Sequence, residues 1–139
     1  MVPNVNQQVQ ELVYSDKLLT YDEKEFILLN YAGDVVGAIG TFFTPEMLSW
    51  GFIIDAGFTG RCIELCAGIG LLSFDQYQRN RPEQITCVEL NPEYVMIGQR
   101  VLPDAEWIVG DALQYSTNER HIHHSVRSKP QRPLQAVIG

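Results

Sequence analysis

The first part of the chain carries apolar residues at the spacing of helices. The pattern within residues 5–16 predicts a short amphipathic helix. In "TYDEKEFILLNYAG", Thr20 and Glu23 have the spacing of a capping box at the start of a second helix. In "TPEMLSWGFIIDAG", Thr44 suits the cap and Pro45 the first turn of a third helix. We therefore expect the N-terminal region to form a helical cover.

Strand patterns and helical patterns alternate through the middle of the chain. The predicted strands and helices are, in order, "RCIEL", "GLLSFDQYQ", "EQITCVEL", "NPEYVMIGQRV" and "AEWIVGD", with "LQAVIG" as a last strand. Such alternation implies an α/β fold in which a parallel sheet is wound with right-handed crossovers. A length of 139 residues favours a single domain over residues 1–139.

A polar segment, residues 113–133, interrupts this pattern before the last strand. It has little periodicity and is long for a connection in a compact domain, so we predict a loop or an insertion. His121, His123 and His124 lie within it, without regular helical spacing and without neighbouring thiolates. A solvated loop is therefore favoured over a metal site.

Charge is distributed unevenly along the chain, whose formal net charge is −7. Residues 1–111 carry 16 acidic residues against six Lys and Arg, a net of −10, whereas residues 112–139 carry one acidic residue against four basic ones, a net of +3. An acidic body binds nucleic acid poorly, so DNA contact is plausible only through the basic 120–132 segment.

Cysteine content and hydropathy favour a cytoplasmic protein. Three cysteines are an odd number, and they lack the C-x-x-C spacing of a metal or redox pair. Reduced thiols in an intracellular compartment fit this composition best. No apolar run approaches the ~18 residues of a membrane span, so no membrane partner is expected.

The segment "RCIELCAGIGLLSF" places a carboxylate and two glycines where a strand turns into a helix. Ligands of parallel sheets bind at this edge, and Gly68 and Gly70 let backbone approach a ligand. Ser73 stands at the third glycine position of the dinucleotide fingerprint, which disfavours NAD. No lysine follows the turn, so it is not a P-loop. Glu64 would repel a pyrophosphate and attract a cation.

Two further carboxylates follow the next strands. Glu89 lies 19 residues after Gly70, at the end of the second predicted strand, and suits a ribose diol. Asp111 follows the third strand, where a side chain can meet an adenine amino group. The ligand that fits is a nucleoside with an ammonium group and no phosphates, a description that matches S-adenosylmethionine.

Four segments together resemble a known family. "ELCAGIGLLS", "CVELNP" and "WIVGDAL" resemble the successive cofactor-binding segments of class I S-adenosylmethionine-dependent methyltransferases. "GTFFTPEMLSWGF" resembles the Phe-x-Thr-Pro element of DNA adenine-N6 methyltransferases. The resemblance covers about residues 40–112 and implies a Rossmann-like fold with strand order 3-2-1-4, "LQAVIG" being the fourth strand.

The resemblance also implies roles for individual residues. Glu64 would neutralise the methionine ammonium, Glu89 would hold the ribose, Leu90 would pack on the adenine, and Asp111 would accept from the adenine amino group. The expected cofactor-binding set is Phe43, Thr44, Pro45, Glu64, Cys66, Ala67, Gly68, Gly70, Glu89, Leu90, Asp111 and Ala112. Structural alternatives stay open: strand-end carboxylates in water, a turn aspartate, and a plain helix start at Thr44 and Pro45.

The family's target-binding tetrapeptide, Asn/Asp-Pro-Pro-Tyr/Phe, does not follow "LQAVIG". Without it no residue visibly places a methyl acceptor, and Glu46, Asp75 and Glu93 are interpreted as solvated helix residues rather than bases. We therefore predict an S-adenosylmethionine- or S-adenosylhomocysteine-binding chain with no catalytic residue of its own, truncated relative to the family.

Several interpretations stay open for such a chain. It could be a piece of a longer methyltransferase, a remnant that binds cofactor or partner, or one half of a site that a second chain completes. The main alternative function is a non-catalytic interaction protein, and a methyltransferase acting on small molecules or proteins is a third. The sheet edge beside the fourth strand would be open, which favours a homo-oligomer or a second chain there.

Overall fold

The structure is a computed structural model that describes residues 2–31, 46–56, 59–116, 123–126 and 135–138. Its helices and strands are α1 (Val5–Val13), α2 (Tyr21–Asn30), α3 (Glu46–Ala56), β1 (Arg61–Leu65), α4 (Leu71–Asn80), β2 (Gln84–Glu89), α5 (Pro92–Val101), β3 (Glu106–Val109), β4 (His123–Val126) and β5 (Gln135–Ile138). Phe43, Thr44 and Pro45 lie outside the described residues. Within the described ranges, no helix is both long enough and apolar enough to cross a membrane.

The strands form one sheet in the order β3-β2-β1-β4-β5. β2 and β4 both pair with β1 in parallel, β3 pairs with β2 in parallel, and β5 pairs with β4 antiparallel. The predicted α/β class and the order of the first three strands are confirmed. Because β2 and β3 follow β1 outward with a helix between each pair, the carboxyl ends of all three strands lie along one edge.

The prediction for the fourth strand is wrong in its position. "LQAVIG" was expected beside β1, but its residues form β5 at the edge of the sheet. The place beside β1 is taken by β4, which pairs from Cys62 with His123 to Leu65 with Val126. Residues 113–133, predicted as a loop, therefore contain a strand. The polar sequence of β4 hides it, because parallel pairing depends on backbone groups and not on an apolar pattern.

Short side chains start the helices as the sequence predicts. Thr20 accepts a hydrogen bond from the backbone N–H of Glu23, whose carboxylate accepts from the N–H of Thr20. Asn91 accepts from the N–H of Glu93 at the start of α5. A further capping box, between Asn4 and Gln7, begins α1 and was not predicted. These contacts satisfy N–H groups that a helix start leaves without partners.

Helices α1 and α2 share one apolar core with α4 and α5, and α2 packs directly on α5. The buried members of this core come from α1, α2, α4 and α5 and include Val9, Ile27, Phe74, Ile97 and Val101. Arg100 strengthens this contact from outside the core. Its Nη2 donates to the carbonyl of Lys17 at 2.9 Å and to the Ser15 hydroxyl at 3.1 Å. Helices α1 and α2 of the predicted cover are therefore attached to the sheet through α5, whereas α3 packs on α4.

Truncation of Ile97 should destabilise the whole domain. The side chain is 0% exposed at the junction of these helices, so Ile97→Ala should lower the free energy of unfolding by about 2–5 kcal/mol. Urea unfolding followed by circular dichroism measures the change. Leu18→Ala is the control, because Leu18 is 93% exposed and should change stability by less than about 0.5 kcal/mol. Equal losses in the two variants would contradict this account of the core.

Candidate nucleoside-binding site

The turns that follow β1 and β3 are each joined to the end of β2 by a backbone hydrogen bond. The N–H of Ala67 donates to the carbonyl of Val88 at 3.0 Å, and the N–H of Gly110 donates to the carbonyl of Glu89 at 3.0 Å. Predicted site residues from three separate segments thereby meet at one edge of the sheet. Parallel pairing alone explains this convergence, since the strands end at the same level.

Glu89 ties two of these turns together with its carboxylate. Oε1 accepts from the N–H of Gly68 at 3.0 Å, and Oε2 accepts from the N–H of Asn91 at 2.7 Å. The carboxylate is therefore held in one position between the glycine turn and the start of α5. Each carboxylate oxygen has two acceptor sites, so capacity remains for the two hydroxyls of a ribose.

The glycine turn contains three residues in the left-handed region within five positions. Their φ values are 62° at Cys66, 63° at Gly68 and 97° at Gly70. The N–H of Gly70 donates to the carbonyl of Ala67 at 3.1 Å, which closes the turn, and Gly70 then begins α4. Cys66 is unusual in this set, because a side chain disfavours this conformation.

Gly70 has a packing reason to be glycine that the sequence did not reveal. A Cβ added to it would lie 2.8 Å from Cη2 of Trp107, on β3. The space beside Gly70 is therefore filled by an indole ring, and the predicted reason, close approach to a ligand, is not needed to explain the residue. Gly98 in α5 faces the same ring, and a Cβ there would lie 2.2 Å from Cη2. A glycine inside a helix costs up to ~1 kcal/mol of stability relative to alanine. A glycine in the middle of a predicted helix was therefore the sequence signal that Gly98 packs closely against another residue.

Glu64 lies in the interior, between β1 and α4, and not on the surface of the turn. It is 2% exposed, and its Oε2 accepts a hydrogen bond from the Ser73 hydroxyl. Sγ of Cys87, on β2, donates to the same hydroxyl at 3.3 Å. Ser73 was noted in the sequence only as a missing glycine. In the structure it connects the carboxylate and the thiol, which gives the position a structural function.

Asp75 is buried, which corrects its interpretation as a solvated helix residue. It is 4% exposed, and its Oδ2 accepts from the Ser49 hydroxyl at 2.6 Å. Ser49 lies on α3, so this bond joins α3 to α4. The packing of α3 against that face of α4 was not visible in the sequence. Glu93 is half-buried and accepts a long, 3.4 Å hydrogen bond from the Tyr14 hydroxyl.

The turn after β3 places a carboxylate next to exposed apolar side chains. Oδ1 of Asp111 accepts from the N–H of Leu113 at 2.9 Å, which orients the aspartate, and Ala112 lies half-buried beside it. Leu90 is 56% exposed and Leu113 is 70% exposed. Apolar side chains that stay exposed beside a polar strand end provide a surface on which a planar base can pack. Leu113 was not among the predicted site residues.

The chain is similar in structure to several methyltransferases. A proposed RNA methyltransferase from Pyrococcus horikoshii matches with a TM-score of 0.53 at 17% identity, over 76% of this chain and 74% of that one. The glycopeptide N-methyltransferase MtfA, solved with sinefungin, matches with a TM-score of 0.50 at 19% identity, over 69% of this chain and 39% of that one. An S-adenosylmethionine-dependent methyltransferase from Clostridium acetobutylicum matches with a TM-score of 0.50 at 14% identity, over 57% and 35%.

The chain has the Rossmann-like methyltransferase fold. At these identities the likeness extends to the fold alone. The match spans little more than a third of the MtfA and Clostridium proteins, at 39% and 35% of their lengths. No protein-family model matches the sequence, and no curated protein matches it either. The fold thus agrees with the class I methyltransferases that the sequence resembles. It does not identify the methyl acceptor, which has to be argued from the site residues.

The buried thiol of Cys87 should make stability fall at alkaline pH. Burial raises its pKa well above the ordinary value, and the neighbouring Glu64 carboxylate raises it further. The unfolded thiol, with a pKa of ~8.5, then loses its proton before the folded one, so stability is lost as pH rises above ~8.5. Between about pH 8.5 and the folded pKa, this thiol should lower the free energy of unfolding by up to about 1.4 kcal/mol per pH unit.

Urea unfolding of the reduced protein at about pH 7.5 and about pH 9.5 measures this effect. Cys87→Ala should lose less stability between the two pH values than the unaltered chain does. Other groups titrate equally in both proteins, so the difference isolates Cys87. The same loss in both would show that Cys87 ionises as readily in the folded state as in the unfolded state.

Proposed function

We propose that this chain is the S-adenosylmethionine-binding portion of a DNA adenine-N6 methyltransferase-like protein, and that it does not transfer methyl groups alone. The observation that carries the proposal is the position of Glu89. Its carboxylate is held between the glycine turn and α5, at the strand edge where ligands of such sheets bind. A nucleoside ligand explains why an acidic side chain stands at this point.

The residues at the strand edge fit the cofactor in chemical type. Glu89 would hold the ribose, Leu90 would pack on the adenine, and Asp111 would accept from the adenine amino group. Cys66 to Gly70 would pass backbone along the methionine moiety, and the bound cofactor would supply an electrophilic methyl group on sulfur. The Glu64 side chain is buried below the turn, so it would act on the ammonium through its charge and not by direct contact.

The sequence, and not the fold, supports DNA adenine as the methyl acceptor. The Phe43-Thr44-Pro45 element precedes α3 in the order that the adenine methyltransferases have. In the proposal these three residues close over the methionine side of the cofactor. Proteins with this fold act on different acceptors, because a fold does not determine the substrate.

The lack of transfer is supported by the residues that follow the strands. Arg127-Ser128-Lys129-Pro130 follows β4, the strand beside β1, and it does not match Asn/Asp-Pro-Pro-Tyr/Phe. Methyl transfer needs an acceptor placed in line with the sulfonium methyl, and positioning supplies much of the rate. A chain that lacks a residue for this task should bind the cofactor and leave it intact.

Partners beyond the cofactor are also part of the proposal. The basic 120–132 segment would contact DNA phosphates, and the sheet edge at β5 would pair with a second copy or another chain. The alternative function is an interaction protein that retains the fold without binding cofactor. Cofactor affinity separates the two functions, and sedimentation at working concentration tests self-association.

Glu89→Gln should weaken S-adenosylmethionine binding by about 10–100-fold, because a hydrogen bond to a charged group contributes about 1.5–3 kcal/mol. Isothermal titration of the cofactor into each folded protein measures the affinity. Glu83→Gln is the matched control, since it removes the same charge from an exposed residue beside β2 and should leave affinity unchanged. A folded, unaltered chain that binds no cofactor would overturn the proposed function and favour the interaction protein.

The unaltered chain should transfer no methyl group to DNA. Duplex DNA that contains adenine in varied sequence contexts is incubated with the chain and methyl-labelled cofactor, and incorporated label is counted. We expect background incorporation at cofactor concentrations that saturate binding. Incorporation that depends on Glu89 would contradict the claim that the chain lacks a complete acceptor site.

A further inference from the structure

Trp107 packs against the buried cluster of Ala67, Ile85 and Cys87, behind the candidate site. It is on β3 opposite Cys87 of β2, and its ring is partly buried against the apolar core. Its Nε1 donates to the carbonyl of Leu102, after the end of α5, at 3.1 Å. This hydrogen bond anchors the ring at its nitrogen, since the indole has one donor and here it is used.

Two glycines on different elements make room for this ring. A Cβ on Gly70 would lie 2.8 Å from Cη2 and 2.9 Å from Cζ2, and one on Gly98 would lie 2.2 Å from Cη2 and 2.4 Å from Cζ2. All four distances are shorter than non-bonded carbon atoms tolerate, so the ring would have to move if either glycine were replaced. The indole thus packs between Gly70, the residue before α4, and Gly98 within α5.

The contact between the indole and Gly70 affects the candidate site because Gly70 ends the glycine turn. Its φ of 97° and its hydrogen bond to the carbonyl of Ala67 belong to the same short turn whose Gly68 N–H binds Glu89. A ring pressed against Gly70 limits where that turn can lie. Close-packed interiors transmit such displacements, because few voids are available to absorb them.

We propose that Trp107 is a positioning residue of the cofactor site, which sets the glycine turn through its contacts with Gly70 and Gly98. The inference rests on the proposed function, since it concerns the same site. It adds that affinity for the nucleoside depends on a residue of β3 and a glycine of α5 that lie outside the predicted cofactor-binding set.

Binding of S-adenosylhomocysteine by calorimetry tests the proposal, at a temperature where circular dichroism shows each protein to be folded. Gly98→Ala pushes the ring towards the turn, and Trp107→Phe removes the part of the ring that the two glycines contact. The double variant restores room beside the added methyl group. Gly51→Ala is the matched control, because a Cβ on this helical glycine would meet nothing within 4 Å.

Gly98→Ala should weaken binding by about tenfold or more, the loss that corresponds to about one or two hydrogen bonds between the displaced turn and the ligand. The double variant should bind more tightly than Gly98→Ala, a rescue that independent losses of stability would not produce. Gly51→Ala should bind as the unaltered chain does. If Gly98→Ala does not fold, Trp107→Phe decides the question, and we expect it to bind more weakly than the unaltered chain. The double variant should have the same affinity as Trp107→Phe.

Fluorescence supplies an independent readout. The chain has two tryptophans, so in a Trp50→Phe background the emission comes from Trp107 alone. Its emission should change on addition of S-adenosylhomocysteine with the same dissociation constant that calorimetry gives. Unchanged affinity in folded Trp107→Phe and Gly98→Ala, in a chain that binds the ligand, would overturn this inference and leave the proposed function intact. Absence of binding by the unaltered chain would overturn the proposed function, and the inference with it.

Discussion

The hydrogen bonds between the ends of neighbouring parallel strands hold the candidate site together. Backbone hydrogen bonds join Ala67 to Val88 and Gly110 to Glu89, and the Glu89 carboxylate binds the N–H of Gly68. The turns after β1 and β3 are both attached in this way to the end of β2. Each turn is short and would have several conformations alone. Linked through Glu89, they form one surface, and the helices that follow begin in defined positions. A charged acceptor is well suited to this task, because backbone N–H groups bind carboxylates more strongly than neutral oxygens.

Beneath this surface, α4 is attached by buried polar contacts as well as by apolar packing. Ser73 binds Glu64, and Asp75 binds Ser49 of α3. A carboxylate in the interior is costly unless hydrogen bonds compensate the lost water, so these partners are needed for the fold. The same contacts keep α4 at a fixed distance from β1 and α3. The glycine turn is therefore held from below by α4 and from the β3 side by Trp107.

The site combines features that serve the fold with features that a ligand would use. Gly70 and Ser73 have complete structural explanations in their contacts with Trp107 and Glu64. Leu90 and Leu113 have none, since both side chains are more than half exposed. The exposed apolar side chains are thus the better indicators of a ligand, and Glu89 keeps free acceptor capacity beside its two structural hydrogen bonds. The glycines alone are weaker indicators, because close packing accounts for one of them.

Local rules placed most elements of this chain correctly from sequence. Capping at Thr20 and Asn91, and the alternation from β1 to β3, depend on residues close together in the chain, so their pattern is legible there. The strand ends at Glu89 and Asp111 follow from the same alternation. The burial of Asp75, the seat of Trp107 on two glycines, and the pairing of polar β4 with β1 depend on residues distant in sequence. No local pattern specifies such contacts, because they arise only when separate elements pack. Packing of the elements therefore determined that Gly70 lies against Trp107 and that Asp75 is buried.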